Sequence, residues 1–350
     1  MAYSTIIKPS LHFNSVLYTG NGSTNAVTGV GFQPDWVWIK NRSNTSSHNL
    51  FDAVRGATKA IFSNATDSEA TEASRLSAFG TDGFTINGDT SNQTNANGSN
   101  FISWNWKGGT TSGLSGGNIT PTSYSYNATA GFGIYKYTGN GGSDQTIPHG
   151  LGKKPAMVFY KRLDSGTNWV VQSHYFGNRV QLVLNGADAL NTDSRLGASS
   201  SWDATNFNVG TYGDMNNNGS PHVAYVFANI KGYQKIGLYK GNGNGSGTFV
   251  YTGFRPRFLL VKRSNTSGQD WPMFDNAIDS NNPRDNRLHA NTNAVEYTTR
   301  YGFDFYANGF KARTTDNHFN GANDEYLYWA IAENPLVANV GNDGVPVIAG

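Results

Sequence analysis

Apolar residues in this chain come in short bursts separated by stretches of Gly, Asn, Ser and Thr. Trp36-Val37-Trp38-Ile39, Ala156-Met157-Val158-Phe159-Tyr160 and Phe258-Leu259-Leu260-Val261 have the length and β-branched or aromatic character of buried strands. Trp36 and Trp38 are one period-two step apart, so they share a face, read here as core. Gly-Asn segments between bursts supply the positive φ of tight turns. Helical spacing occurs in Asp67 to Leu76, where Ser68, Glu69, Glu72 and Arg75 predict one short polar helix.

The bursts are ordered by repetition. Tyr18-Thr19-Gly20-Asn21-Gly22 returns as Tyr137-Thr138-Gly139-Asn140-Gly141 and as Tyr239-Lys240-Gly241-Asn242-Gly243. Each is followed by a Pro-led strand ending in Lys: Pro34 to Lys40, Pro155 to Lys161, Pro256 to Lys262, with Arg42, Arg162 and Arg263 just beyond. Aromatic strands close each unit around Trp104-Asn105-Trp106, Tyr225-Val226-Phe227 and Tyr328-Trp329, preceded by Phe84, Phe207 and Phe310. A period of roughly 100 residues is too long for a solenoid and matches a β-sandwich module. The expected fold is therefore all-β: three tandem β-sandwich repeats, jelly-roll or lectin-like, arranged about a pseudo-threefold or along a rod. The boundaries read as an N-terminal arm (1–12), repeat one (13–108), a Gly/Ser/Thr-rich linker (109–130), repeat two (131–232), repeat three (233–336) and a C-terminal tail (337–350).

Composition narrows the class. Of 350 residues only 14% are charged, the net charge is +2, and no basic cluster stands out, which disfavours duplex nucleic acid as a partner. Aromatics at 13% argue against global disorder. The absence of Cys removes disulfides and thiolate metal sites. No apolar run is long enough for a membrane-spanning helix, and Met1 to Leu11 lacks the apolar core of a secretory signal, so membrane insertion is not expected.

Candidate chemistry is sparse. Gly241-x-Gly243-x-Gly245 runs into Thr248-Phe249-Val250-Tyr251, a strand pattern rather than the helix a phosphate loop needs. Asp214-x-Asn216-x-Asn218-Gly219 matches half of a calcium loop, but Tyr225 stands where the bidentate Glu belongs. The seven His form no local ligand pair, so no metal and no cofactor is expected. Asp82, Asp203, Asp304, Asp324 and Glu325 are the carboxylates a glycosidase would draw on, and most Asp sit in turn contexts. No catalytic residue is assigned. Lys40, Lys161 and Lys262 read as solvated strand ends or partners of a nearby Asp, with an anion site as the rival. Trp169, Trp202 and Trp271 are the candidates for stacking on a sugar, although Trp169 and Trp271 share a repeat position, which argues for a role in the fold. Tyr3, Ile6, Ile7 and Leu11 are the apolar residues of a candidate assembly arm.

The first unit carries a resemblance. Phe13 to Gly22, Gly29 to Arg42, Leu50-Phe51-Asp52-Ala53-Val54-Arg55-Gly56-Ala57, Phe79 to Phe84 and Trp104-Asn105-Trp106 together resemble a repeat domain of marine bacteriophage virion structural proteins. The match is dense over residues 1–108. In the later units only the skeleton persists, and the Phe-Asp pair returns at Phe274-Asp275 but not in the second. The resemblance implies a non-enzymatic virion component on the particle exterior, as fibre, appendage or capsid decoration. Such a protein would be made in a bacterial cytoplasm and released by lysis. Its expected partners are other virion proteins, copies of itself and a host surface glycan. The rivals are a carbohydrate-binding adhesin, which needs exposed aromatics in a groove, and a polysaccharide depolymerase, which needs a carboxylate pair across a cleft.

Overall fold

The computed structural model describes residues 4–89, 91–299, 302–335, 337–339 and 346–348. The chain is all-β, built on three large antiparallel sheets that repeat one strand order. In each, the aromatic closing strand lies between the opening strand and the Pro-led strand. The central trios are Phe13–Thr19, Asn100–Trp106 and Trp36–Asn41; then Phe132–Thr138, Pro221–Ala228 and Pro155–Arg162; then Gln234–Lys240, Glu325–Pro335 and Phe254–Arg263. Shorter strands continue each sheet beyond the Pro-led strand. Next to each large sheet a small one forms: Asn25–Val27 with Gly83–Ile86 and Leu76–Gly80; Gln145–Pro148 with Asn206–Val209; Phe249–Tyr251 with Gly309–Ala312 and Phe303–Tyr306.

Every large sheet is apolar on both faces, which is why its strands read as unbroken hydrophobic bursts instead of an alternation. One face packs under its own small sheet. Phe84, Phe207 and Phe310 lie opposite Val27, Ile147 and Val250 and fill these three separate cores. The other faces converge on a single interior of aromatic rings. Trp36, Trp104 and Trp106 come from the first sheet, Phe159, Tyr225 and Phe227 from the second, Phe258 and Trp329 from the third. Trp36 stacks on Tyr225 at 4.5 Å between centroids, Phe227 meets Trp329 at 4.3 Å, and Trp329 stacks on Trp106 at 5.6 Å. Each ring so placed contributes roughly 1.5–3 kcal/mol from removal of its surface from water. The Trp36 and Trp38 expectation holds: both are fully buried in this interior.

The Gly-Asn motif acquires a physical reason at the end of each opening strand. A Cβ on Gly20, Gly139 or Gly241 would lie 2.2–2.3 Å from the carbonyl oxygen of Ala96, Asn217 or Gly321, so no larger residue fits. The following turn is clamped by a buried Asn that the sequence reading passed over. Asn95, Asn216 and Asn320 each accept from the backbone N–H of Asn21, Asn140 and Asn242 through Oδ1, at 3.1, 2.9 and 2.9 Å. Their Nδ2 groups donate back to the same turns. Asn216 belongs to the half calcium motif, and its side chain is spent on this clamp.

Three expectations are corrected. Asp67 to Leu76 is not a helix: Ala70–Thr71 and Leu76–Gly80 are strands, and the Glu69 and Glu72 amides donate to Leu163 and Thr58. The stretch 109–130 is more than a linker, since Ser123–Asn127 pairs along Phe132–Thr138 and Ile119 is buried beneath the second sheet. Within the C-terminal tail, Val337–Asn339 pairs with Pro346–Ile348. Lys40, Lys161 and Lys262 are neither solvated nor paired with Asp; all three are fully buried. Burial pulls the ammonium of Lys40 down to about 7 and those of Lys161 and Lys262 to about 8.

Candidate functional site

The three sheets are joined by three seams that run in one rotational sense. Second against first, the indole of Trp169 donates to the Phe62 carbonyl at 2.8 Å. Third against second, Trp271 donates to Val183 and Gly186 at 3.0 and 3.1 Å. First against third, the same position is held by His48, whose Nε2 lies 3.0 Å from the His289 carbonyl. Because His48 Nδ1 accepts from Trp38 at 2.8 Å, the proton must reside on Nε2, which therefore donates across the seam. The N–H of each ring residue is capped by an Asn: Asn64, Asn185 and Asn291.

Further bonds follow the same cycle. Glu69 donates its N–H to Leu163, Leu190 to Ser264, and Glu296 to Arg42. Lys161 reaches across to Thr66 at 2.8 Å and Lys262 to Ala187 at 3.2 Å, whereas Lys40 bonds to its neighbour Asn41 at 2.6 Å. The closing aromatics complete the pattern. Tyr225 donates to Asp52 at 2.6 Å and Trp104 to Asp275 at 3.1 Å, while Trp329 turns to Gln234 in its own sheet. This explains the Phe-Asp pair. Where it is present, the Asp receives a ring from the next sheet; the second sheet has Ser173 at that place and no such ring arrives. Asp52 is held by Arg55 at 2.5 Å, both side chains being fully buried.

The sugar-stacking candidates are placed by these contacts. Trp169 and Trp271 are seam residues with no exposed surface, and Trp202 lies in the second sheet's own core, donating to Asn208 at 3.1 Å. None presents a ring face to solvent, so none can stack on a sugar here. In the arm, Tyr3 lies outside the described residues. Ile6 is buried in the shared interior of its own chain, while Ile7 and Leu11 are exposed. The candidate carboxylates serve local structure: Asp82 accepts from Gly29 and Gly31, Asp203 from Thr205 and Asn206, Asp324 from Arg263, and Glu325 from Ser264. Among the described residues no group of three or more His, Asp or Glu is placed to hold a metal ion, and no helix is long and apolar enough to cross a membrane.

The exterior is where the three parts differ. On the small sheets, the residues flanking the inward Val27, Ile147 and Val250 are Ala26 and Thr28, then Thr146 and Pro148, then Phe249 and Tyr251. Phe249 is 44% exposed and Tyr251 48%. Tyr306, two strands away, is also exposed and meets Phe249 edge-on at 6.1 Å. Asp304 and Lys311 lie on this same face, and Tyr306 donates to Asp304 at 2.9 Å. Tyr251 also borders a cleft of about 490 Å³ between the second and third parts, lined by Lys153, Lys231, Lys235, Asn229 and Thr252, with no carboxylate among the described residues. A second cleft of about 500 Å³, lined by Gly116, Tyr126, Thr205 and Asn206 among others, also has no carboxylate among the described residues. Sequence reasoning passed over Phe249, Tyr251 and Tyr306. The available signal was that Phe249 and Tyr251 occupy positions held by non-aromatic residues in the other two parts.

The fold and its surfaces define a class: an all-β protein of paired sheets closed around one aromatic interior, with an aromatic and basic patch on one part. Residues 8–335 match the family described as Domain of unknown function (DUF7483), and the chain belongs to that family. The matched region spans all three sheets, as a single interior requires. No curated protein and no solved structure matches the chain.

Proposed function

We propose that this chain is a non-enzymatic structural protein on the exterior of a bacteriophage particle, built from three copies of one β-sandwich module. The observation that carries the modular reading is the cyclic set of seams, in which Trp169, Trp271 and His48 make the same crossing in turn. Each module spends one sheet face on the common interior, so the three close on themselves within one chain rather than stringing into a rod. The resemblance of residues 13–106 to marine phage virion proteins supports the location. The exposed Ile7 and Leu11 on the arm support contact with further copies or with other virion proteins.

Immunogold labelling of particles from a lysate that contains this protein tests the reading. Gold on fibres, tail or head is the expected result, and protein found free in the lysate with bare particles overturns it. Assembly through the arm predicts that Ile7→Ser with Leu11→Ser lowers the sedimenting mass of the purified chain while leaving its melting temperature in place.

A further inference from the structure

We propose that the outer face of the third small sheet, with the cleft beside it, binds an acidic polysaccharide. The idea rests on the exterior placement argued above, yet binding by the purified chain is blind to placement, so either can fail alone.

Three observations meet at this surface. The first is asymmetry: the exposed pair Phe249 and Tyr251 flanks a core position whose counterparts are flanked by Ala26 and Thr28 or by Thr146 and Pro148. Strand rise sets the two rings about 6.7 Å apart on one face, a spacing over which successive sugar rings can lie. Aromatic rings held outward side by side on one sheet face mark an interaction surface. The second is charge. The adjoining cleft carries Lys153, Lys231 and Lys235 and, among the described residues, no carboxylate, so its field selects an anion. Lys235 couples cleft and face: its Nζ donates to the Tyr251 carbonyl at 2.7 Å and sits 5.5 Å from the Tyr251 ring centroid.

The third observation separates a sugar chain from a nucleic acid. Asp304 lies beneath the aromatic face, buried and bonded to Tyr306 and to Arg313 at 3.3 Å. A carboxylate beneath the rings disfavours a backbone that carries a phosphate at every residue. The ligand this surface fits therefore has uncharged, hydroxyl-rich ring faces over Phe249 and Tyr251 and acidic groups toward the lysines.

Isothermal titration of the full chain with polygalacturonate at low salt tests the proposal, with dextran sulfate, neutral dextran and single-stranded poly(dT) as comparators. Binding of polygalacturonate or dextran sulfate, at least tenfold tighter than neutral dextran and weakened by added salt, is expected. Phe249→Ala with Tyr251→Ala, and separately Lys153→Glu with Lys235→Glu, should each weaken it at least tenfold. Melting curves of both variants confirm that the fold is retained, and Phe249→Ala alone serves if the double variant melts early. If only dextran sulfate binds with this residue dependence, the acidic group is a sulfate; if only polygalacturonate does, it is a carboxylate. No binding to either acidic chain, variants that bind like the parent, or poly(dT) binding as tightly as the acidic sugars would each overturn the assignment.

Discussion

Two seams close on a tryptophan and the third on a histidine, and the difference shows how a repeated position can keep its geometry while changing its chemistry. Trp169 and Trp271 bring a large apolar surface and one donor that stays protonated at any pH of interest. His48 brings a smaller ring that must remain neutral, because Trp38 occupies its Nδ1 and its Nε2–H spans the seam. Burial, with Lys40 and His289 adding to it, holds the His48 pKa well below the usual imidazole value. Among the described residues, Lys40 in the same seam finds no cross-sheet carbonyl of the kind that holds Lys161 and Lys262. The first-on-third seam is therefore the one that proton uptake opens most readily.

The largest expected effect comes from removing a seam tryptophan. Trp169→Ala or Trp271→Ala leaves a cavity and an unpaired carbonyl, and should cost about 3–5 kcal/mol in denaturant unfolding. His48→Ala removes less apolar surface and should cost less than either; an equal or greater cost would break the comparison. Next come the turn clamps. Asn95→Ala, Asn216→Ala and Asn320→Ala each leave buried backbone groups unpaired and should cost about 1–3 kcal/mol, similar at the three sites because the bonds are alike.

A pH titration sharpens the comparison further. His149 and His222, brought down to about 4 by burial, join His48 in staying neutral in the folded chain. Between pH 6.5 and about 4 the unfolded chain takes up protons that these groups in the folded chain refuse, so stability falls as pH falls through that window. Thermal melts should show it, and His48→Gln should flatten part of the slope. The buried lysines act in the same direction at higher pH. Their folded values of about 7 to 8 lie below the unfolded 10.5, so their penalty fades as pH rises from about 7 toward 10. Above pH 10 the buried tyrosines, held above their ordinary value, reverse the trend. The smallest effect is expected on the exterior, where Phe249→Ala should change stability by less than about 0.5 kcal/mol.

The sequence by itself determined the all-β class and the order of the main strands in each sheet. The Pro-led bursts, the aromatic closing strands and the Gly-Asn turns are local signals, because strand burial and positive φ are set by a few neighbouring residues. Phe84, Phe207 and Phe310 were legible as markers for the same reason. What the chain pattern could not say is which face of a doubly buried strand meets which neighbour, because a burst with both faces apolar has no alternation to read. The equivalence of His48 with Trp169 and Trp271 was hidden by the change of residue type. Long-range partners were equally beyond reach, since Asp52 meets Tyr225, and Asp275 meets Trp104, only after the three sheets have closed. That closure decided the rest: it took Trp169, Trp271 and three lysines out of solvent, and it left Phe249 and Tyr251 facing it.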